Sequence, residues 1–239
     1  MNEEIGEELK DIDLDEDLLL EIEQNKEEKT IDAKLVQQNQ KSIYNINSKN
    51  KRGICFSCEI PDPDKKDNVI KVLFSCYHVI KDLNEISISS HQKEEIKINL
   101  KDGRRRCWLD KEMDYVCIEI LEEDNISNYL SVFNDINDEK YQNEYIEKKI
   151  LYASNTKKIS AGEGKLTPLY LIYHFYTVEG WSGSPVFLNG DNKVIGIHMG
   201  GIDKNKDNKI IKKEKAVNIG IPIKNVLMHM EKLGKGNLE

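Results

Sequence analysis

The chain has 239 residues, of which a third are charged, and its formal net charge is −8. This length allows two small domains with a sizeable core, and the acidic balance argues against a nucleic-acid-binding protein. No apolar run approaches the length of a membrane-spanning helix, and the first residues have no features of a secretory signal. A cytoplasmic protein without a membrane partner is therefore predicted.

The first segment, residues 1–40, is acidic and carries apolar residues at helical spacing. Ile5, Leu9 and Ile12 form one such stripe. The segment is predicted to be helical. Two interpretations of it stay open, a solvated charged surface and a regulatory segment.

From residue 43 to about residue 130, short runs alternate apolar and polar residues in the manner of β-strands. The runs ISIS at residues 86–89 and IKINL at residues 96–100 are predicted to be half-buried strands. Arg104, Arg105 and Arg106 form a basic cluster that follows the second of these strands. A solvated loop is predicted there, and an anion-binding or processing site is the alternative.

Two blocks in this region hold a candidate acid–base pair. His78 lies at the end of the apolar run LFSCYHVI, residues 73–80, and Asp114 opens the alternating run MDYVCIEI, residues 113–120. A histidine that activates a nucleophile needs a further group to orient its ring, and a carboxylate can do this. Asp110 is a rival of Asp114 for that role.

The second half of the chain begins near residue 131. Residues 134–147 are polar and are predicted to connect the two halves, and an apolar, aromatic strand is predicted over residues 169–176. Residues 191–193 are predicted to form a hairpin turn. A proline near the start, spaced apolar residues and a following glycine predict a C-terminal helix over residues 222–233.

The run GWSGSPV at residues 180–186 places a serine between two glycines, at a turn that a proline ends. Glycine adopts backbone angles that other residues resist, so such a turn can aim successive N–H groups at one point beside the serine hydroxyl. A serine is a weak nucleophile without a base. Ser182, His78 and Asp114 are therefore a candidate triad, in the chain order His, Asp, Ser.

These motifs resemble those of the chymotrypsin-fold serine peptidases, which share this chain order. They most resemble the glutamyl-endopeptidase branch, typified by the staphylococcal enzyme. In that branch Gly-x-Ser-Gly-Ser-Pro-Val is followed by a Val-Ile-Gly-Ile-His-x-Gly-Gly strand, and VIGIHMGG occupies residues 194–201 here. The resemblance spans roughly residues 50–232. It implies an all-β fold of two six-stranded antiparallel barrels, the first in residues 41–130 and the second, with the C-terminal helix, in residues 131–239.

The resemblance implies a serine endopeptidase that acts on a protein or peptide substrate and needs no metal or other cofactor. Ser182 would attack the peptide carbonyl, His78 would take its proton, and Asp114 would hold the imidazole in the useful tautomer. Backbone N–H groups of Gly180 and Ser182 would stabilise the oxyanion.

The resemblance also implies a substrate preference. In the glutamyl-endopeptidase branch a strand histidine and a threonine five residues before the nucleophile contact the substrate glutamate, and the matching residues are His198 and Thr177. An imidazole N–H and a hydroxyl are donors that suit a carboxylate, so cleavage after Glu, or after Asp, is predicted. Gly200 and Gly201 leave room for the substrate and can offer backbone pairing. Residues 1–40 are a candidate pro-segment, since their glutamates would suit self-cleavage.

Two other classes of function compete with this prediction. One is a catalytically silent binding module on the peptidase fold, regulated by its N-terminal segment. The other is an ester hydrolase of the α/β-hydrolase type, which would need Gly-x-Ser-x-Gly with the histidine after the serine. Ser184 stands where the last glycine would be, and His78 precedes Ser182, so this class is disfavoured.

Most of the five cysteines lie in apolar, strand-like runs, where cysteine behaves as a small hydrophobic residue. A reducing compartment is predicted because no signal segment is visible. A disulfide between Cys58 and Cys76 stays open. Cys55 and Cys58 form a Cys-x-x-Cys pair without a second ligand pair, which disfavours a zinc site. Residues 203–214 come close to a calcium-loop pattern, but a plain hairpin loop is predicted because the flanks look like strands and lysines fill the loop.

Overall fold

In the computed structural model, the alternating runs form fourteen β-strands within the described part of the chain. The prediction of an all-β chain that ends in a helix is confirmed. Most of the acidic segment, the connection at residues 134–147, residues 191–192 of the hairpin turn and the calcium-like loop lie outside the described residues. The description covers residues 38–48, 51–65, 67–81, 84–90, 95–101, 103–133, 149–154, 159–175, 177, 179–188, 193–202 and 217–234.

The first seven strands pair antiparallel in the order β5-β4-β1-β2-β3-β7-β6. A single-turn helix, α1 (Tyr77–Ile80), follows the third strand, and a 3-10 turn (Glu122–Asp124) follows the seventh. The strands are β1 (Ile43–Ser48), β2 (Lys51–Pro61), β3 (Val69–Ser75), β4 (Glu85–Ser89), β5 (Ile96–Asn99), β6 (Cys107–Asp110) and β7 (Tyr115–Glu119).

Six later strands close into a ring in the order β9-β10-β11-β14-β13-β12, with the last pairing back to the first. Between the two groups, β8 (Leu130–Val132) pairs parallel with both β2 and β13. We propose that the two groups are the two predicted barrels, with β8 at their boundary. The later strands are β9 (Lys149–Ser154), β10 (Ile159–Leu166), β11 (Leu171–His174), β12 (Pro185–Leu188), β13 (Lys193–Ile202) and β14 (Val217–Pro222).

The apolar side of these strands forms the core. In the first group the largest side chains with almost no exposed surface include Phe56, Phe74 and Trp108, and in the second Tyr173 and Phe187. Burying one such side chain contributes about 1.5–3 kcal/mol. The core therefore fixes the strands that flank the candidate site residues.

The C-terminal helix α2 (Ile223–Leu233) begins after Pro222, as predicted. Its buried residues Ile223, Val226, Leu227 and Met230 recur every three or four positions, so one face of the helix packs on the strands. The Trp108 indole Nε1 donates a hydrogen bond to Gly234 O at 2.8 Å, which ties the end of the helix to the first group. Among the described residues, no helix has both the length and the apolar character that a membrane crossing requires.

Arg105 and Arg106 of the basic cluster do not form the solvated loop that the sequence favoured, whereas Arg104 is exposed. The Arg105 guanidinium donates to both oxygens of Asp124, at 2.8 and 3.2 Å, and the two side chains are only 2% and 4% exposed. Arg106 pairs with Asp62 and Glu119, each at 2.9 Å, and lies over the Trp108 ring. These arginines neutralise carboxylates that the fold buries, so the cluster has a structural role.

We expect Asp124→Ala to lower the free energy of unfolding by about 3–5 kcal/mol, because it leaves the Arg105 charge buried without its partner. Glu123→Ala is the matched control. Its pair with Arg104 is more than half exposed on both sides, and such pairs contribute at most about 1 kcal/mol. Chemical denaturation of the two variants measures the difference. Equal losses in the free energy of unfolding would show that the buried pair contributes no more than the exposed pair.

Candidate active site

His78 sits in helix α1, directly after strand β3. The sequence placed it at the end of the strand itself. Instead the strand stops at Ser75, Cys76 caps the helix, and the buried side chains of Val79 and Ile80 anchor the single turn. The imidazole is thereby held, partly exposed, just beyond the end of β3.

Asp114 ends the turn between β6 and β7 and faces His78. Its φ is 54°, a left-handed conformation that is uncommon for residues other than glycine but enriched for Asp and Asn. One carboxylate oxygen accepts the His78 backbone N–H at 2.9 Å, and the other accepts the ring Nδ1–H at 2.7 Å. Because Nδ1 carries the proton, Nε2 of the neutral ring is left as a proton acceptor.

The rival carboxylate has a different partner. Asp110 accepts a hydrogen bond from the Met113 backbone N–H at 2.6 Å, and its other oxygen lies 3.5 Å from His229 Nε2. The structure therefore brings Asp114, and not Asp110, to His78.

The serine turn needs both of its glycines. Gly180 and Gly183 each have a φ of 89°, and a Cβ on Gly183 would lie 2.0 Å from Ile54 O. The Ile54 N–H donates to Ser182 O at 2.8 Å, and Gly183 N–H donates to His198 O at 2.8 Å. These contacts fix the turn between β2 and β13, so that Ser182 is presented by a rigid backbone.

Within the described part of the chain, no hydrogen bond uses the backbone N–H of Gly180 or Ser182. These are the two donors that the sequence assigned to an oxyanion hole. The Ser182 hydroxyl donates to Met199 O at 2.8 Å. Met199 lies where the pairing of β13 with β14 shifts register, between His198 and Gly200, so it has no partner residue in that ladder.

His198 is buried on β13 and is held by a tyrosine. The Tyr173 hydroxyl lies 2.6 Å from its Nδ1 and 3.4 Å from Ile219 O. One hydroxyl has one proton, so either Tyr173 donates to Nδ1 and the proton of the neutral ring is on Nε2, or Tyr173 donates to Ile219 O and accepts from Nδ1–H. Burial, and then the nearby His78, lower the pKa of His198 to about 3, which keeps the ring uncharged at neutral pH.

Thr177 lies next to this strand pair, but its hydroxyl has a partner. It donates to Asn218 Oδ1 at 2.6 Å, and Asn218 Nδ2 donates to Phe175 O at 2.5 Å. A Cβ added to Gly200 would meet no atom within 4 Å, so there is open space beside this residue. The predicted substrate-contacting residues Thr177, His198, Gly200 and Gly201 thus share one region, with Asn218 between Thr177 and Gly201.

Sequence reasoning did not identify three residues of this site. Asn218 interrupts the apolar run of β14, which was a usable signal for a buried polar contact. Tyr173 is one of several aromatic residues before Thr177, and the sequence does not distinguish it from core. Met199 contributes only its backbone carbonyl, which no sequence pattern marks.

All five cysteines are free and buried, so the disulfide between Cys58 and Cys76 is not formed. Cys76 lies closest to the site. Its Sγ donates to His198 O at 3.2 Å, and burial raises the pKa of its thiol well above the ordinary value. The Cys76 Sγ, a ring nitrogen of His78 and a carboxylate oxygen of Asp114 all lie within 4.8 Å of one another.

A family model for the 3C cysteine proteases (picornain 3C) matches residues 78–203, slightly more than half of the chain. The chain belongs to this family. The match contains His78, Asp114 and Ser182, and it identifies the 3C family where the sequence suggested the glutamyl-endopeptidase branch. No curated protein gives a significant match to this 3C-family chain.

Solved structures support the same architecture. A serine endoprotease from Yersinia pestis is similar over 87% of this chain and 68% of that one, with a TM-score of 0.56 and 14% identity. Rv3671c from M. tuberculosis, solved in an inactive serine-to-alanine form, is similar over 85% of this chain and 94% of that one, with a TM-score of 0.55 and 12% identity. At these identities the likeness shows the fold, and the prediction of a chymotrypsin-like protease fold is confirmed.

Proposed function

We propose that this 3C-family protease is a serine endopeptidase that acts through His78, Asp114 and Ser182. The observation that carries the proposal is the pair of hydrogen bonds from His78 to the Asp114 carboxylate, at 2.9 and 2.7 Å. They hold the ring in the tautomer whose Nε2 can take a proton from a serine hydroxyl.

The reaction is acyl transfer. The Ser182 hydroxyl leaves Met199 O by rotation of its side chain and gives its proton to His78 Nε2 as Oγ bonds to the substrate carbonyl carbon. His78 then passes that proton to the departing amine as the peptide C–N bond breaks. Water hydrolyses the resulting ester by the same route. The N–H groups of Gly180 and Ser182 would receive the oxyanion, and each such donor contributes about 3 kcal/mol to the transition state.

Ser182, and not a cysteine, is the proposed nucleophile, although the family is named for cysteine proteases. A reactive cysteine is accessible and has a lowered thiol pKa. Cys76 is buried and has a raised pKa, and the other four cysteines are buried as well. Ser182 is partly exposed in a turn whose two flanking glycines have left-handed backbones.

A fluorophosphonate probe tests the nucleophile. We expect a single adduct on Ser182 by mass spectrometry and none in the Ser182→Ala variant, because the probe reacts only with an activated hydroxyl. A catalytically silent binding module would not react at Ser182. Inactivation by a thiol reagent that modifies Cys76, with Ser182 unlabelled, would move the proposal to a cysteine mechanism.

We further propose that the enzyme cleaves after Glu. We assign the Tyr173 proton to His198 Nδ1, which at 2.6 Å is the shorter of its two contacts, and this makes the Nε2–H of His198 a donor. The pKa of about 3 keeps this donor uncharged. Gly200, beside open space, leaves room for the substrate side chain. Thr177 can add a second donor only if its hydroxyl turns away from Asn218.

Glutamine is a second candidate for the same position, because His198 is neutral. A carboxamide offers an acceptor oxygen of the same reach as glutamate, and a neutral group costs less to bury than a carboxylate without a cationic partner. The chemistry of a neutral donor therefore admits both residues and disfavours Lys and Leu.

We expect kcat/KM for peptides with Glu or Gln at the cleaved position to exceed that for matched Lys or Leu peptides by at least about tenfold. We also expect the ratio of Glu to Gln cleavage to rise as pH falls from 7 towards the glutamate pKa of about 4.3, because protonated glutamate is neutral. Any change in the overall activity of the enzyme with pH affects both substrates equally and cancels in the ratio. A ratio that falls with falling pH would indicate a pocket that prefers the carboxylate, and a preference for Lys or Leu would contradict the proposed pocket.

A further inference from the structure

Three different metal-binding groups meet at the proposed acid–base pair. The thiol of Cys76, a ring nitrogen of His78 and the carboxylate of Asp114 lie within 4.8 Å of one another. In the described part of the chain, no other set of three such groups comes together in this way. Cysteine sulfur, histidine nitrogen and aspartate oxygen are the three ligand types that Zn²⁺ takes in proteins.

We propose that Cys76, His78 and Asp114 form a binding site for Zn²⁺, and that zinc bound there inhibits the enzyme. The inhibition rests on the proposed function, because two of the ligands are members of the triad. The binding itself does not depend on catalysis.

The three groups need to move only a little to bind a zinc ion together. Zinc binds sulfur at about 2.3 Å and nitrogen or oxygen at about 2.0–2.2 Å, so ligands around a tetrahedral ion lie about 3.5 Å apart. The three groups therefore close by roughly 1.3 Å at most, while His78 Nδ1 and Asp114 Oδ2, now 2.7 Å apart, separate. Two hydrogen bonds are exchanged for bonds to the metal, that of Cys76 to His198 O and that of His78 to Asp114.

The ion reaches the site past the partly exposed side chains of His78 and Asp114. The side chains of His78 and Asp114 are 18% and 15% exposed, whereas Cys76 is buried behind them. Zinc can first bind the two partly exposed groups and then the thiol, and water fills the fourth position.

Inhibition follows from the proton movements at Cys76 and His78 that accompany zinc binding. The thiol of Cys76 loses its proton to solvent when sulfur binds the metal. The ring proton of His78 moves from Nδ1 to Nε2, because Nδ1 becomes the ligand. With Nε2 protonated, the ring has no position for the proton of Ser182. Zinc thus removes both the base and its orienting carboxylate.

Binding is tested on the full-length Ser182→Ala protein by calorimetry with zinc and by optical titration with Co²⁺. We expect one tight site, and a sulfur-to-cobalt charge-transfer band that reports the thiol. In the same background, Cys76→Ser should weaken zinc binding by at least about tenfold and abolish the band. Cys58→Ser, which removes a buried thiol from β2, should leave both unchanged. Asp114→Asn provides a second ligand variant in case Cys76→Ser does not fold.

Inhibition is tested on the wild-type enzyme, where zinc should lower the cleavage rate and a chelator should restore it. Absence of a tight site in Ser182→Ala, or a site that Cys76→Ser and Asp114→Asn leave unchanged, overturns the zinc proposal even if the enzyme cleaves peptides. Tight binding with the charge-transfer band in a protein that never cleaves peptides supports the metal site and overturns the proposed function instead.

Discussion

Replacing Ser182 with alanine should lower kcat for peptide cleavage by about a million-fold, while the protein remains folded. The hydroxyl is the atom that forms the acyl-enzyme, and His78 and Asp114 act only through it. Its loss therefore removes the contribution of all three residues. The hydrogen bond to Met199 O is a small structural loss by comparison, about 1 kcal/mol. Progress curves with the preferred peptide, compared with thermal unfolding, separate catalysis from stability.

Ser184→Ala is the matched control for this prediction. Ser184 lies two residues from the nucleophile in the same turn, and its hydroxyl is buried without a hydrogen-bond partner among the described residues. Removing it costs no hydrogen bond, so we expect nearly unchanged kcat and KM. A large loss in Ser184→Ala together with an active Ser182→Ala variant would mean that the wrong serine has been assigned.

The fold was predictable because the strands near the site show a regular alternation of apolar and polar residues in the sequence. The runs at residues 86–89 and 96–100 became β4 and β5, and the terminal periodicity became α2. The role of the glycines around Ser182 was also predictable from the local sequence, because their positions require a left-handed backbone. Such features depend on neighbours in the chain, which a single sequence contains.

The features that sequence reasoning missed depend on contacts between distant residues. Arg105 looked like part of a solvated loop, but its partner Asp124 is buried with it. Tyr173 contacts the ring of His198 from 25 residues away, and Asn218 accepts the hydrogen bond of the Thr177 hydroxyl from 41 residues away. No local pattern marks such pairs, because the same residue types are common in cores and turns.

The site is built where the two groups of strands meet, which explains why its parts are far apart in sequence. Ile54 of the first group holds Ser182 O, and Cys76 of the first group contacts His198 O of the second. The sequence motifs mark the residues whose type is chemically constrained. They do not show how these residues are oriented, because orientation comes from backbone groups such as Met199 O, which no residue type identifies.

Asp114→Asn should lower kcat by about ten-thousand-fold and leave the fold intact. An amide offers its N–H₂ as well as its oxygen, so the ring of His78 is no longer held with the proton on Nδ1. The tautomer with the proton on Nε2 cannot accept the proton of Ser182. Asparagine tolerates the left-handed φ of 54° at this position, so the turn should keep its shape. Circular dichroism and thermal unfolding check the fold, and kcat checks the chemistry.

Asp110→Asn is the control that separates the two carboxylates. Asp110 accepts the Met113 N–H and lies beside His229, and an amide oxygen can keep the first of these contacts. Its variant should therefore cleave at close to the wild-type rate. If Asp110→Asn were inactive and Asp114→Asn active, Asp110 would be the orienting carboxylate, and the observed geometry of His78 would not be the catalytic one. Because the two substitutions are chemically identical and lie four residues apart, the comparison depends only on which carboxylate holds the His78 ring.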